Sequence, residues 1–353
     1  MRQTNPGAGS LWRGLWLSSS GRFRFSAASG HPPRWRTRWR PGTQLGDKSV
    51  SLNAKHVRLF LRLSRPLFLL GGALLYSLGA AIASFLGKPL DLYLYLFGQG
   101  LVTSLQLTTH FLLAYYQPRL EEEDQPVSFS NARGAYDHAG LPRQATFYIA
   151  IAFLVLAATL VSILLVGRQV PLLAWFILLF IFLGTFFYNT PPIRLYTSGY
   201  GELTTSLVMA GLIPTFCFAL QTGELHRLLL MTTTPLVALH FAMMIALELP
   251  NYASNIKWDK RTLMVRLGWA TAMRLHDLAI LFAIVSFTVA FFNGLPRRVT
   301  ISVLIALPLA AAQIWQMDRI RRGYPARWRM LTNGALGLFG LTAYLELIGY
   351  LLS

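Results

Sequence analysis

Long apolar runs alternate with short polar segments from residue 66 to the end of the chain. Each run is long enough, or nearly so, to cross a hydrocarbon core of about 30 Å at about 1.5 Å of rise per helical residue. The pattern therefore predicts about nine membrane-spanning helices. The predicted spans are residues 66–86, 92–116, 147–166, 172–188, 203–220, 228–249, 278–292, 300–315 and 331–352.

Composition supports this interpretation, because 54% of the 353 residues are hydrophobic and only 13% are charged. Such values exclude an ordinary soluble globular protein and predict an all-α polytopic membrane protein. The net charge of +18 follows the membrane rather than forming a nucleic-acid surface. Most Lys and Arg fall in loops on one predicted side, which places the N-terminus in the cytoplasm and, for nine spans, the C-terminus outside. We expect a bacterial plasma membrane, with an organellar inner membrane as the alternative.

Residues 1–50 differ from the rest of the chain, because they are rich in Arg, Trp, Ser and Gly and contain no acid before Asp47. This basic, low-complexity tail fits an organellar transit peptide. It equally fits a disordered tail on anionic lipid, or an artefact of an upstream start site. We therefore assign the membrane domain to residues 51–353. The single Cys217 lies in a predicted span, so neither a disulfide framework nor a multi-cysteine metal site is expected.

A polar stretch at residues 248–268 follows the sixth predicted span. If this stretch is helical despite Pro250, its oxygen-bearing side chains share one face, namely Glu248, Asn251, Asn255 and Asp259. Three cations lie beside them, Lys257, Lys260 and Arg261. Oxygen ligands with neighbouring cations suit a Mg²⁺-bound polyphosphate. The alternative is a cytoplasmic loop whose cations follow the positive-inside rule.

Four consecutive acids at residues 121–124 follow the second predicted span, on the predicted positive side of the membrane. If the helix resumes after Pro118, Glu121 and Asp124 share a face and form a carboxylate pair that could hold a divalent cation. The alternative is a solvated acidic turn.

Two stretches resemble the UbiA superfamily of intramembrane prenyltransferases. Residues 188–203 are similar to the family's Tyr-x-x-Pro-Pro-x-Arg segment that ends in Gly-x-Gly-Glu. Residues 260–268 are similar to the Lys-x-Thr-Leu-x-Val-Arg-Leu-Gly that follows its second aspartate motif. With the order of the spans, the resemblance covers about residues 60–350.

The resemblance implies a helical bundle around a central cavity, capped by cytoplasmic loops. It implies Mg²⁺ as cofactor, an isoprenyl diphosphate as donor, and an aromatic or other lipophilic acceptor, as in quinone biosynthesis. Arg194, Lys257, Lys260 and Arg261 would then bind the diphosphate. Tyr115 and Tyr188 would stabilise an allylic cation, although aromatic residues at an interface often serve only as membrane anchors. No catalytic residue is assigned.

The chain departs from the family at both aspartate motifs. The first motif is matched by Leu113, Ala114, Gln117 and Glu121, so that only one acid remains. The second Asp-x-x-x-Asp is replaced by Asn251 and Asn255, which offer oxygen but no charge to Mg²⁺. A working metal site would therefore use Glu121, Asp124, Glu248 and Asp259 as its charged ligands.

Two functional hypotheses remain open. The first is an active prenyltransferase with a shifted metal site. The second is a catalytically silent relative that binds an isoprenoid or quinone lipid, or that partners an active enzyme. A transporter is disfavoured because His240, the ionisable residue near the middle of a span, has no acidic partner at that depth and is interpreted as a packing residue. We also consider an ion pair between Arg194 and Glu202.

Overall fold

The computed structural model describes residues 54–116, 143–167 and 169–353, and within these ranges the regular structure is entirely helical. The predicted tail at residues 1–50 and the acids Glu121 and Asp124 lie outside the described residues. The helices are α1 Ala54–Ser64, α2 Pro66–Phe85, α3 Leu92–Tyr116, α4 Arg143–Gly167, α5 Leu172–Asn189, α6 Leu195–Ser198, α7 Gly201–Thr222, α8 Arg227–Glu248, α9 Tyr252–Lys257, α10 Leu263–Leu267, α11 Trp269–Phe292, α12 Arg297–Leu304, α13 Leu307–Arg321 and α14 Trp328–Leu351.

The structure confirms an all-α polytopic membrane fold, although not the count of nine spans. Seven helices in the described ranges are long and apolar enough to cross a membrane, and the number rises to eight if α12 and α13, bent by 41°, form one span. Helix α3 coincides with the predicted second span and has 25 residues, but it is not among these eight. Its polar side chains, which include Gln99, Gln106 and His110, lower its mean hydropathy.

Helix α11 begins nine residues before the predicted span, at Trp269. The apolar pattern fails there because Arg274, His276 and Asp277 interrupt it. The helix nevertheless continues, since Asp277 accepts a hydrogen bond from Arg321 at 3.2 Å and contacts His276 at 3.0 Å. A charge paired with a residue of another helix can be tolerated near a membrane boundary, and sequence alone does not reveal the partner.

Helices α2, α7, α8 and α14 form the centre of the bundle. Thr232 of α8 and Tyr350 of α14 share a hydrogen bond of 2.6 Å. His240 of α8 shares a hydrogen bond of 2.9 Å with Ser206 and packs edge-on against Phe339. The interpretation of His240 as a hydrogen-bonded packing residue is therefore confirmed.

Glu346 of α14 is a second ionisable residue buried inside a span. Its side chain is fully buried, and neither carboxylate oxygen has a hydrogen-bond partner among the described residues. The sequence interpretation, which considered only His240, missed it.

Two polar connections meet at one end of the bundle, residues 190–200 between α5 and α7 and residues 249–268 between α8 and α11. We call this the polar end. The Arg266 guanidinium lies 5.3 Å from the centroid of the Tyr200 ring. Gly199, with φ of +81°, approaches the carbonyl oxygen of Arg261 so closely that any Cβ would lie 3.0 Å from it. Only glycine combines this dihedral angle with this close approach at low cost.

The close contact between α2 and α7 generates a test of the packing. A Cβ at Gly79 would collide with the carbonyl oxygen of Pro214, whereas a Cβ at Gly71 of the same helix meets nothing within 4 Å. We expect Gly79→Leu to destabilise the bundle by about 1–3 kcal/mol or more. Its unfolding temperature in detergent should fall well below that of the matched Gly71→Leu control. Equal unfolding temperatures for the two variants would contradict this helix contact.

Candidate functional site

Two buried carboxylates hold the connection between α8 and α11 at the polar end. Glu248, the last residue of α8, contacts the side chain of Lys260. Glu202, in the first turn of α7, accepts a hydrogen bond from the backbone N–H of Leu263 at 3.2 Å through Oε1. The segment from Lys260 to Leu263 is thereby fixed to two different membrane helices. The other oxygen of Glu202, Oε2, is buried and has no hydrogen-bond partner in the part of the chain that the structure describes.

Lys260 lies inside the protein, with 7% of its surface exposed. Its Nζ donates to both oxygens of Glu248, at 3.2 and 3.3 Å, and lies 3.7 Å from the centroid of the Tyr196 ring. Asn255 is also buried, and its Nδ2 donates to Glu248 Oε2 at 2.9 Å. The carboxylate, the ammonium and the aromatic ring thus form one compact cluster, which we call the Lys260 cluster.

The expected helical face is formed by Glu248, Asn251 and Asn255, which are all buried, but it does not include Asp259. Pro250 lies in a 3₁₀ turn, Leu249–Asn251, and helix α9 ends at Lys257. Asp259 then has a left-handed backbone with φ of 48°. Its exposed side chain pairs with Arg261 at 3.4 Å instead of joining Glu248. Asp259 leaves the face because the helix ends after Lys257 with a left-handed residue, and the N–H of Lys260 donates back to the carbonyl oxygen of Asn255.

Asn251 is buried close to the end of α8. Its Nδ2 lies 3.5 Å from the carbonyl oxygen of Leu247, a long hydrogen bond, and its buried Oδ1 has no partner within residues 54–116, 143–167 and 169–353. The structure therefore brings Glu248 and Asn255 into direct contact and leaves one unpaired amide oxygen at Asn251.

The predicted diphosphate-binding cations divide into two groups. Lys260 points inward, whereas Arg194, Lys257 and Arg261 are exposed at the polar end. The Arg194 guanidinium lies 5.5 Å from the centroid of the Tyr116 ring. The ion pair considered between Arg194 and Glu202 is not formed, because Glu202 is buried and turns towards Leu263.

A small cavity of about 100 Å³ lies next to the Lys260 cluster. Its wall includes Tyr196 and Glu248 of the cluster, together with Arg65, His110 and Tyr188. His110 is oriented by a hydrogen bond of 2.8 Å between Nδ1 and the carbonyl oxygen of Ser64. The remaining wall is largely apolar or carries neutral hydroxyl and amide groups. The cavity can therefore offer hydrogen bonds, cations and aromatic faces to a compact ligand head.

The two predicted cation-stabilising tyrosines lie in different surroundings. Tyr188 lines the small cavity, and its ring centroid lies 5.5 Å from that of Tyr196. Tyr115 is not part of the cavity wall and packs 5.0 Å from both Tyr116 and Phe147.

A large apolar groove of about 1420 Å³ adjoins the small cavity, and Gly184, Thr204 and Val208 line both. The groove begins near Ile193 at the polar end and reaches Arg227 at the opposite end of the bundle. Leu, Phe and Val side chains of α5, α7, α8 and α11 form most of its surface. The groove can therefore hold an apolar chain alongside the membrane-spanning helices.

Helix α7 contributes to both cavities where its backbone widens. Residues Leu207–Leu212 form a π-helical turn, a feature often found at functional sites. This turn carries Val208, which lines both cavities, and Met209, whose sulfur accepts a hydrogen bond from Gln106 at 3.3 Å. The sequence interpretation missed the turn, and no residue pattern in α7 indicated it.

Sequence reasoning also missed Tyr196, Glu202 and His110 as site residues. Two signals were present, because Glu202 ends the Gly-x-Gly-Glu segment and His110 follows two threonines in an otherwise apolar run. The ring of Tyr196 covers the Lys260 ammonium.

The described residues do not fit a Mg²⁺ site. They contain no group of three His, Cys, Asp or Glu side chains that could hold a metal ion. Both oxygens of Glu248 face N–H donors, whereas a metal ligand must direct its lone pairs at the ion. Of the predicted charged ligands, Asp259 is exposed, and Glu121 and Asp124 lie outside the described ranges.

Comparison with solved structures shows the fold. A UbiA homologue from Archaeoglobus fulgidus, bound to GPP and Mg²⁺, is 16% identical with a TM-score of 0.61, covering 83% of this chain and 98% of its own. The same homologue bound to DMAPP and Mg²⁺ gives a TM-score of 0.59 at 16% identity, with the same coverage of both chains. A structure of digeranylgeranylglyceryl phosphate synthase is 10% identical with a TM-score of 0.56, covering 84% and 97% of the two chains.

No curated protein sequence gave a significant match. Residues 139–336, more than half of the chain, match the UbiA prenyltransferase family. These residues include both the Pro-Pro segment and the polar connection that forms the Lys260 cluster. The chain is therefore a prenyltransferase-type membrane protein that belongs to the UbiA prenyltransferase family.

Proposed function

We propose that this protein transfers an isoprenyl group from an isoprenyl diphosphate to an aromatic or other lipophilic acceptor. One observation carries the proposal: a small cavity with Arg65 in its wall and Lys260 beside it adjoins a long apolar groove, and Gly184, Thr204 and Val208 line both. A donor with an anionic head and an apolar tail matches these two environments.

The head of the donor would lie near Arg65 and the Lys260 cluster. Arg65 lines the cavity, and Lys260 contacts two residues of its wall, Tyr196 and Glu248. The exposed cations Arg194, Lys257 and Arg261 would attract the diphosphate towards the polar end. In the related Archaeoglobus structures the bound molecules are GPP and DMAPP, which are isoprenyl diphosphates.

The reaction breaks the bond between C1 of the isoprenyl chain and the diphosphate oxygen, and the electron pair leaves with the diphosphate. C1 then bonds to the acceptor, which loses a proton. Cations beside the departing diphosphate and aromatic faces beside C1 lower the energy of the separated charges. The rings of Tyr188 and Tyr196, 5.5 Å apart at the cavity wall, are suited to the second role.

A second candidate function is binding without transfer, for example of a prenylated quinone. The Lys260 cluster favours it, because the charge of Glu248 is already matched within the protein and Asn251 and Asn255 are neutral. The remaining cavity of about 100 Å³ suits a compact head with few charges.

The test uses the full chain in nanodiscs with radiolabelled geranyl diphosphate and a panel of aromatic hydroxy acids. Prenylated product in the organic extract is the expected result. Saturable binding of the diphosphate without product would favour the second candidate. Absence of both would exclude a diphosphate donor.

Narrowing the junction between the two cavities should impair the reaction. Thr204 lines both cavities, so Thr204→Phe places a ring where the donor must pass. We expect binding of geranyl diphosphate, measured in nanodiscs, to weaken at least tenfold. The exposed Arg298, which lines neither cavity, offers a remote control as Arg298→Gln, with affinity unchanged. Unaltered affinity in Thr204→Phe would place the donor elsewhere.

The far part of the groove should determine the accepted chain length. Thr234 lines the groove but not the small cavity, about 20 Å along α8 from Glu248 at 1.5 Å per residue. Thr234→Phe should therefore reduce competition by a long donor such as solanesyl diphosphate, while geranyl diphosphate binds normally. Equal loss for both donors would argue against a chain lying in the groove.

A further inference from the structure

Glu248 lies at the cavity wall, but its surroundings are those of an ion-paired carboxylate. Lys260 Nζ contacts both oxygens, and Asn255 donates to Oε2. Both members of the ion pair are buried, so water screens their attraction weakly. Removing either partner alone would leave a costly uncompensated charge.

The backbone positions Lys260 independently of its charge. Its N–H donates to the carbonyl oxygen of Asn255 at 2.8 Å, and its own carbonyl oxygen accepts from the N–H of Thr262 at 2.9 Å. Thr262 in turn caps α10 by accepting from the N–H of Val265. The loop therefore presents the ammonium to Glu248, while Tyr196 covers it from another side.

Because Lys260 already supplies a cation to the Glu248 carboxylate, electrostatics does not favour a second cation at this position. Glu248 and Lys260 pair one to one, the neighbouring buried carboxylate of Glu202 directs Oε1 at the Leu263 N–H, and Asn251 and Asn255 add oxygen without charge. A divalent ion would add two positive charges beside a matched pair in a site with little water, which is unfavourable. It would also have to displace the ammonium or the Asn255 amide to reach the carboxylate oxygens.

We propose that the Lys260 ammonium occupies the position of the divalent cation beside Glu248, so that this site binds its ligand head with a lysine and without a metal ion. The nature of the head rests on the proposed function. The absence of a metal site that depends on Glu248 does not rest on that function, and it can be measured separately.

The first measurement is a Mn²⁺ titration followed by electron paramagnetic resonance, with the full chain in nanodiscs. The reference is the double variant Glu248→Gln/Lys260→Met, which removes both charges together and so avoids a lone buried charge. The natural protein and the reference should give the same isotherm, because any Mn²⁺ held elsewhere is common to both. Binding at least tenfold tighter in the natural protein would overturn the proposal.

The second measurement uses Lys260→Met alone, which frees Glu248 to recruit a cation. We expect Mn²⁺ to bind this variant at least tenfold more tightly than the natural protein and to raise its unfolding temperature. Arg298→Gln removes an exposed cation that lines neither cavity and should change neither value. Failure of a folded Lys260→Met to gain a site would count against the proposal, and if that variant does not fold, the first comparison still decides.

The third measurement is the affinity for geranyl diphosphate in EDTA and in MgCl₂. The natural protein should bind with affinities that agree within about twofold, whereas binding by Lys260→Met should recover only with Mg²⁺. Loss of binding by the natural protein in EDTA would overturn the lysine assignment. Absence of binding in both buffers would exclude the diphosphate donor, and the Mn²⁺ comparison would still test the role of Lys260.

Discussion

The buried ion pair between Lys260 and Glu248 holds the polar end together. Residues 249–257 continue α8, whereas residues 258–262 have no regular structure of their own. Their position depends on what they contact, namely Glu248 through Lys260 and Glu202 through the Leu263 N–H. Tyr196, in the connection between α5 and α7, packs against the same ammonium. The ion pair therefore also helps to position that connection. Tyr196 and Glu248, which both line the small cavity, are therefore held in place by contacts with the same Lys260 side chain.

The fold was largely predictable because a membrane imposes a one-dimensional rule on sequence. A helix must satisfy its own backbone in lipid, and its apolar length must match the hydrocarbon core. The rule fails where a charge has a distant partner: Asp277 interrupts the apolar pattern, yet α11 continues through it because Arg321 pairs with Asp277. It fails again at α12 and α13, where the predicted single span is bent by 41°. Both errors arise from interactions or geometry that periodicity does not contain.

The sequence predicted which residues gather at the site, but not how their side chains are arranged. The density of polar residues after the sixth span identified Glu248, Asn255 and Lys260, which do meet. The expected face excludes only Asp259, because the helix ends after Lys257 and the left-handed Asp259 turns the chain away from it. His110 and Glu202 could not be assigned because their neighbours, Ser64 and Leu263, are 46 and 61 residues distant in sequence. Spacing within one helix contains no information about such contacts.

A site at the membrane boundary must separate a charged head from an apolar tail, and here Gly184, Thr204 and Val208 line both environments. A ligand head that enters the small cavity meets Glu248 when its carboxylate is already paired with the Lys260 ammonium. Opening the ion pair would expose two charges in a poorly hydrated site, which costs several kcal/mol. A head that binds next to the intact pair avoids this cost and is still attracted by the charge of the Lys260 ammonium. The arrangement therefore favours a ligand head that binds beside the Lys260 ammonium without displacing Glu248.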